Sequence, residues 1–162
     1  MYKKSVRAYH MKIDATKKDQ LTQPLPGWAV KPNPMKPKMS VIHPMAIIDR
    51  LNEVFGVGQW HFKTTAIDCT KEVQATKNGP RDVYMSSVHA TLEIPEYDVH
   101  IEQYGGSTND DKGDALKGGA TDALTKMASY LGIGASIYKG QGNVSNDDDA
   151  PPEELDEPII RR

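Results

Sequence analysis

The chain has 162 residues but only one cysteine, two phenylalanines, two tryptophans and no long apolar run. A single thiol cannot form a disulfide within the chain, and a structural zinc site needs several clustered Cys or His ligands. Cys69, in a period-two apolar pattern, is therefore expected to be a buried structural thiol. No stretch approaches the roughly 18 apolar residues of a membrane-spanning helix. The opening MYKKSVRAYHMKID lacks the apolar centre of a secretory signal. A soluble cytoplasmic protein with no membrane partner is expected. Catalytic signatures are missing too. There is no GxxxxGK(S/T) phosphate loop, so ATP use is not expected. His10, His43, His61, His89 and His100 are scattered, without HExxH or paired spacing. Asp110, Asp111 and Asp114, beside Gly105, Gly106 and Gly113, could bind Mg²⁺ at a helix start, but Asp and Gly are also ordinary capping and turn residues. The expectation is a protein that binds rather than reacts, with no required cofactor and an Mg²⁺ role left open.

What is present is unevenly distributed. Apolar residues make up 38% of the chain, low for a sequence that folds throughout, so part of it is expected to be tail. The net charge of −2 hides a polarised chain. Residues 1–39 carry nine Lys or Arg against Asp14 and Asp19, residues 40–142 carry nine against thirteen acids, and residues 143–162 carry two against seven. The basic first segment can meet an anionic partner although the pI of 6.2 does not advertise one. The division expected is a basic N-terminal arm over 1–23, a folded domain over 24–140 and a disordered acidic tail over 141–162. The tail reads as a nucleic-acid mimic competing for a basic groove, as a handle for a partner, or as a solubiliser.

Within the domain, Pro24, Pro26, Pro32, Pro34, Pro37 and Pro44 favour extended backbone lying over a surface, carrying Trp28, Lys31, Lys36 and Lys38. HPMAIIDRLNEVFG reads as a helix, with Pro44 in its first turn, Gly56 at its end and a stripe of Ile47, Ile48, Leu51, Val54 and Phe55. Strands are expected over 59–73, 82–94 and 98–106, joined by turns at Asn78-Gly79-Pro80 and Pro95-Glu96-Tyr97. The fold class that follows is α+β, an antiparallel three-stranded curved sheet flanked by helices in the order helix, three strands, helix.

The second helix, in KGDALKGGATDALTKMASYLGIGASIY at 112–138, is the most informative segment. Leu116, Ala120, Ala123, Leu124, Met127 and Leu131 recur at steps of three and four, and Gly132 and Gly134 end the pattern. Gly118 and Gly119 each cost a helix about 1 kcal/mol relative to alanine, so something is expected to approach the backbone closely there. The small-residue face and the strand edges are the surfaces expected to support assembly.

Two blocks in this order, IDRLNEVFGVGQW at 48–60 and ALKGGATDALTKMASYLGIG at 115–134 with three strands between, resemble the Rad52-type single-strand annealing proteins. That family includes phage Sak-like annealing proteins and DdrA proteins. The resemblance covers roughly residues 21–139. It implies ATP-independent binding of single-stranded DNA and annealing of complementary strands in homologous recombination and repair, in a phage or prophage setting. It also implies a homo-oligomeric ring of about ten or more subunits with DNA in a basic groove, backbone inward and bases exposed. A passive single-strand binder, or an adaptor recruiting a single-strand binding protein or other recombination factor through the acidic tail, is the alternative.

The resemblance carries over to this chain's basic residues in part. The family's basic pair after its T-D-x-L motif falls on Thr125-Lys126 here, and a later basic position falls on Ser129. Lys117 stands where the family has a lysine before the same threonine, and Lys31 and Lys38 fall near basic positions ahead of the first helix. Lys36 and Arg50 are candidates to compensate for the missing charges, and Trp28, Tyr104, Tyr130 and Tyr138 are stacking candidates. At 100° per residue Lys112 and Lys126 lie about 40° apart on the helix, whereas Lys117 lies about 140° from Lys112. The candidate DNA-binding set is Lys31, Lys36, Lys38, Arg50, Lys112, Lys117, Lys126, Trp28 and Tyr130.

Overall fold

A computed structural model describes residues 12–33 and 39–140. The elements in chain order are α1 (Ala15–Thr22), a single 3₁₀ turn (Gly27–Ala29), β1 (Val30–Pro32), β2 (Ser40–Ile42), α2 (Pro44–Phe55), β3 (His61–Thr76), β4 (Gly79–Ile94), a second 3₁₀ turn (Pro95–Tyr97), β5 (Val99–Asn109), α3 (Lys112–Tyr130) and α4 (Ala135–Tyr138). The expected α+β architecture is present: β3, β4 and β5 form a three-stranded antiparallel sheet flanked by helices. Residues 1–11, 34–38 and 141–162, which include the first eleven residues of the expected arm and all of the expected tail, lie outside the described residues.

Two pieces of local structure were not foreseen. Helix α1 forms inside the segment read as an arm. Its lysines give no periodicity, yet Asp14 caps it by accepting the Lys17 N–H at 2.8 Å, and Leu21 anchors it at 1% exposure. The proline-rich stretch contains the antiparallel pair β1–β2, with Val30 opposite Ile42, Lys31 opposite Val41 and Pro32 opposite Ser40. Three-residue strands carry too few side chains to show a period of two, so composition alone reads them as extended.

The hairpin of β3 and β4 runs longer than the sequence pattern, closing at Thr76 and Gly79. Strand β5 pairs only with Tyr84–Ile94, so Pro80 faces no third strand, and its missing N–H leaves no ladder gap on that side. On β4, Ser86, Val88, Ala90, Leu92 and Ile94 alternate inward and are buried. They meet Ile47, Leu51, Val54 and Phe55 of α2 and Ala123, Leu124, Met127 and Ala128 of α3 in one core. Strand β3 is covered much less. Ile67 and Val73 are 57% and 69% exposed, and Cys69 is only half-buried, not the buried thiol expected.

The inward face of α3 also differs from the expected stripe. Ala115, Gly119, Ala123, Leu124, Thr125, Met127 and Ala128 are buried, while Leu116, Ala120 and Leu131 are displaced to the flanks. The reason is a backbone-to-backbone approach between α3 and β5. A Cβ on Gly105 would overlap the Gly119 carbonyl oxygen and lie 2.6 Å from the Ala123 nitrogen. One on Gly119 would come within 2.9 Å of Val88 Cγ2, and one on Gly118 would strike the Ser107 hydroxyl. Close contact therefore accounts for both helix glycines, and it selects the small residues at steps of four rather than the larger ones beside them. This small-residue face is used within the chain, so the expectation that it supports assembly is corrected. Ser86 strengthens the same contact by donating its hydroxyl to the Ala115 carbonyl at 2.6 Å. The helix ends where Gly132 turns to φ +100°, and the N–H groups of Gly132 and Ile133 bond back to the Ser129 and Ala128 carbonyls.

Gly105→Ala is expected to destabilise the domain by about 3 kcal/mol, because the obstructing atoms are backbone. Gly106→Ala, one residue on, has only the Ser86 oxygen at 3.3 Å and should cost much less. Urea unfolding midpoints compare them, and equal midpoints would remove the α3–β5 approach as the constraint.

Candidate nucleic-acid interface

The β1–β2 pair and α3 face one another across a groove of about 650 Å³. One wall is Asn33, Met39, Ser40, Val41 and Ile42; the other is Gly118, Thr121, Asp122, Thr125 and Lys126, one face of α3. Ile137, Tyr138 and Gly140 complete the lining.

Lys126 is the groove's cation, and its position is fixed. Its ammonium donates to the Asp122 carboxylate at 2.7 Å, and the same carboxylate oxygen accepts the Gly106 N–H at 3.1 Å from the edge of β5. A pair this exposed contributes little stability in water. What it does is place the charge, while the ammonium keeps further N–H donors for a ligand. Asp122 was missed as a site residue, although its spacing of four from Lys126 was a readable signal. Thr125, where the resemblance looks for a second basic residue, is 7% exposed and donates its hydroxyl to the Thr121 carbonyl at 2.8 Å. At the mouth, desolvation and then the Asp122 carboxylate push the Tyr138 phenol up to about 12, so it stays protonated at neutral pH.

The other expected site residues divide sharply. Lys31 is exposed and directly opposite Val41, a groove residue; cross-strand partners share a face, so Lys31 flanks the groove. Lys112 is exposed at the first turn of α3, on the same stripe as Lys126 but away from the lining. Lys117 lies about 180° round the helix from Lys126, 79% exposed and paired to Asp114 at 2.9 Å, whose carboxylate raises its pKa. Tyr130 is 64% exposed and its hydroxyl accepts from Gln103 Nε2 at 2.7 Å, outside the groove. Trp28 is half-buried against the core, with its ring and that of His43 in an edge-type arrangement at 5.6 Å. Lys36 and Lys38 lie outside the described residues.

Arg50 is placed in the core instead of the groove. At 8% exposure its guanidinium donates to the Gln20, Gln23 and Pro24 carbonyls at 2.6, 3.0 and 3.2 Å and meets Glu53 at 3.5 Å. It binds the last turn of α1 and the two residues after it to α2. The geometry leaves it no donor fork for a phosphate.

Asp111 and Asp114, raised as Mg²⁺ candidates, cap α3 and pair with Lys117, and among the described residues no three potential ligands gather to hold a metal. The outward sheet face carries a separate ionic cluster. Hydrogen bonds from His100 and then His89 hold the Glu102 carboxyl below its usual range, and the Lys63 ammonium 2.8 Å away does the same for Glu93.

Groove, sheet and helices together define an α+β domain whose three-stranded antiparallel sheet is flanked by helices, with a groove between α3 and the β1–β2 pair. A family model described as the Rad52/22 family double-strand break repair protein matches residues 15–154, and the chain belongs to that family. Membership places it among proteins of DNA repair and recombination, which at family level bind single-stranded DNA, form oligomeric rings and anneal strands. A search among curated proteins finds no match to the chain. Among the described residues no helix is long and apolar enough to cross a membrane.

Arg50→Met should lower stability by about 2–4 kcal/mol, since it leaves three inward carbonyls without their donor. Oligonucleotide affinity of the folded fraction should stay within about twofold; a selective loss of affinity at full stability would return Arg50 to the interface. Glu102 and Glu93 have folded values below the ordinary 4.5, so their contribution is present above 4.5 and is lost as pH falls through the lowered values. The melting temperature of Glu102→Gln should therefore lie below that of the parent chain at pH 6. The gap should close on acidification.

Proposed function

We propose that the groove between α3 and the β1–β2 pair receives the phosphate backbone of single-stranded DNA, and that assembled copies anneal complementary strands without nucleotide hydrolysis or an obligatory metal. The observation that carries this reading is Lys126, held by Asp122 inside a groove flanked by Lys31. Cations along one strand reduce the repulsion a complementary strand meets, and contacts made to phosphates leave base edges unread. Binding is then independent of sequence and sensitive to salt. The setting is recombination in the cytoplasm of a bacterial host, encoded by a phage or prophage.

Assembly into a ring is the second part of the proposal. Among the described residues the outer edge of β3 has no partner strand, and the strand exposes Ile67 and Val73. An edge of this kind invites pairing or packing with a neighbouring copy. The β5 edge is less available, because Asp122 takes the Gly106 N–H.

The test is the annealing rate of two labelled complementary oligonucleotides, without ATP, at two salt concentrations. Acceleration peaking near stoichiometric coverage is expected. Lys126→Ala with Lys31→Ala should keep the oligomeric mass, bind less tightly at low salt and flatten the plot of log affinity against log salt by about 0.7 per lysine. Unchanged affinity overturns the groove assignment. Tight binding with no acceleration favours a passive binder.

A further inference from the structure

The chain leaves the described domain inside the groove. Gly140 lines it together with Tyr138, and residues 141–162 follow directly. Those residues carry Asp147, Asp148, Asp149, Glu153, Glu154, Asp156 and Glu157 against Arg161 and Arg162. We propose that this acidic segment docks in the groove of its own chain and competes there with single-stranded DNA. The proposal rests on the groove being the DNA site.

Reach, charge and surface all favour this occupant. Six residues separate Gly140 from Asp147; the seven Cα-to-Cα steps span at most about 25 Å extended and about 15 Å as a flexible coil. The groove face of α3 from Gly118 to Lys126 is about 12 Å long at 1.5 Å per residue. The acidic run therefore reaches every part of that face without strain. Lys126 in the lining, which shares its charge with Asp122, and the exposed Lys31 and Lys139 beside it supply the opposite charge. Met39, Val41 and Tyr138, 54%, 42% and 53% exposed, offer apolar surface to Leu155 or to Ile159 and Ile160.

Tethering makes even a weak contact effective. A short linker gives an effective concentration of a few mM, so a segment whose free peptide binds with Kd near 1 mM raises the apparent Kd for DNA about fivefold. A displaced tail also takes back counterions as DNA releases its own. The full chain should accordingly show a shallower salt dependence than a chain whose tail cannot compete.

The full chain carrying D147N, D148N, D149N, E153Q and E154Q tests this against the parent chain with an oligo-dT probe. The expected result is about fivefold tighter binding with a steeper salt slope. Zero-length carbodiimide coupling of the unliganded parent chain should join a tail carboxylate to Lys126 within one chain, and saturating oligo-dT should suppress that product. A peptide of residues 141–162 added in excess should inhibit the neutralised variant. Equal affinities without the coupled product overturn the proposal. Tighter binding with no coupled product and no inhibition by the peptide also overturns it, because long-range repulsion alone then explains the gain. If neither form binds oligo-dT, the reading of the groove as a DNA site falls, and the coupling product still decides separately whether the tail docks.

Discussion

The near-contact of two backbones, α3 against β5, is the constraint on which the rest of this domain depends. Gly105 lets the strand reach the Gly119 carbonyl, and Ala115 and Ala123 continue the same small-residue strip along the helix. With α3 seated this deeply, Met127, Ala128 and Leu124 reach the core under β4 and α2. The flank of the helix beside this strip, with Thr121, Asp122 and Lys126, is then left lining the groove with β1–β2. A helix standing farther off by the thickness of a methyl group would lose the Ser86 bond to Ala115 and the Gly106 bond to Asp122 together. Core packing and groove geometry are thus two faces of one contact.

Electrostatics in this chain serve placement more than stability. The groove lysine is paired to a carboxylate that is itself tied to a strand edge, which fixes the charge while leaving it accessible. The strongest cation by number of bonds, Arg50, is instead turned inward to three carbonyls, where a guanidinium fork can satisfy backbone that no helix or strand bonds. Lys117 is exposed but points away from the groove, next to Asp114. Counting basic residues therefore overstates the cationic surface at the interface.

Much of the fold was legible in the sequence because its signals are periodic. The order of helix, three strands and helix followed from alternation on β4, the stripe and glycine end of α2, and the turn residues at Asn78-Gly79 and Pro95-Glu96-Tyr97. The two adjacent glycines of α3 announced a close approach, and their own propensity cost was the clue. Less legible were α1, where only Leu21 is anchored, and β1–β2, where three-residue strands are too short to display a pattern. Of the candidate residues, Lys126 lies in the groove as its place on α3 allowed, whereas the inward turn of Arg50 and the direction of Lys117 are features that no spacing rule reports.

The sequence by itself determined the order of helix, three strands and helix, the family and the segregation of charge along the chain, because each is written in neighbouring residues or in motif spacing. Only the tertiary structure decided which small residues of α3 face inward, and that the helix face expected to support assembly is occupied by β5. It also decided which cation lines the groove and that Gly140, the last described residue, lines it too. Those outcomes depend on how closely two distant segments approach. That distance is set by the shapes packed between them, and no single segment contains it.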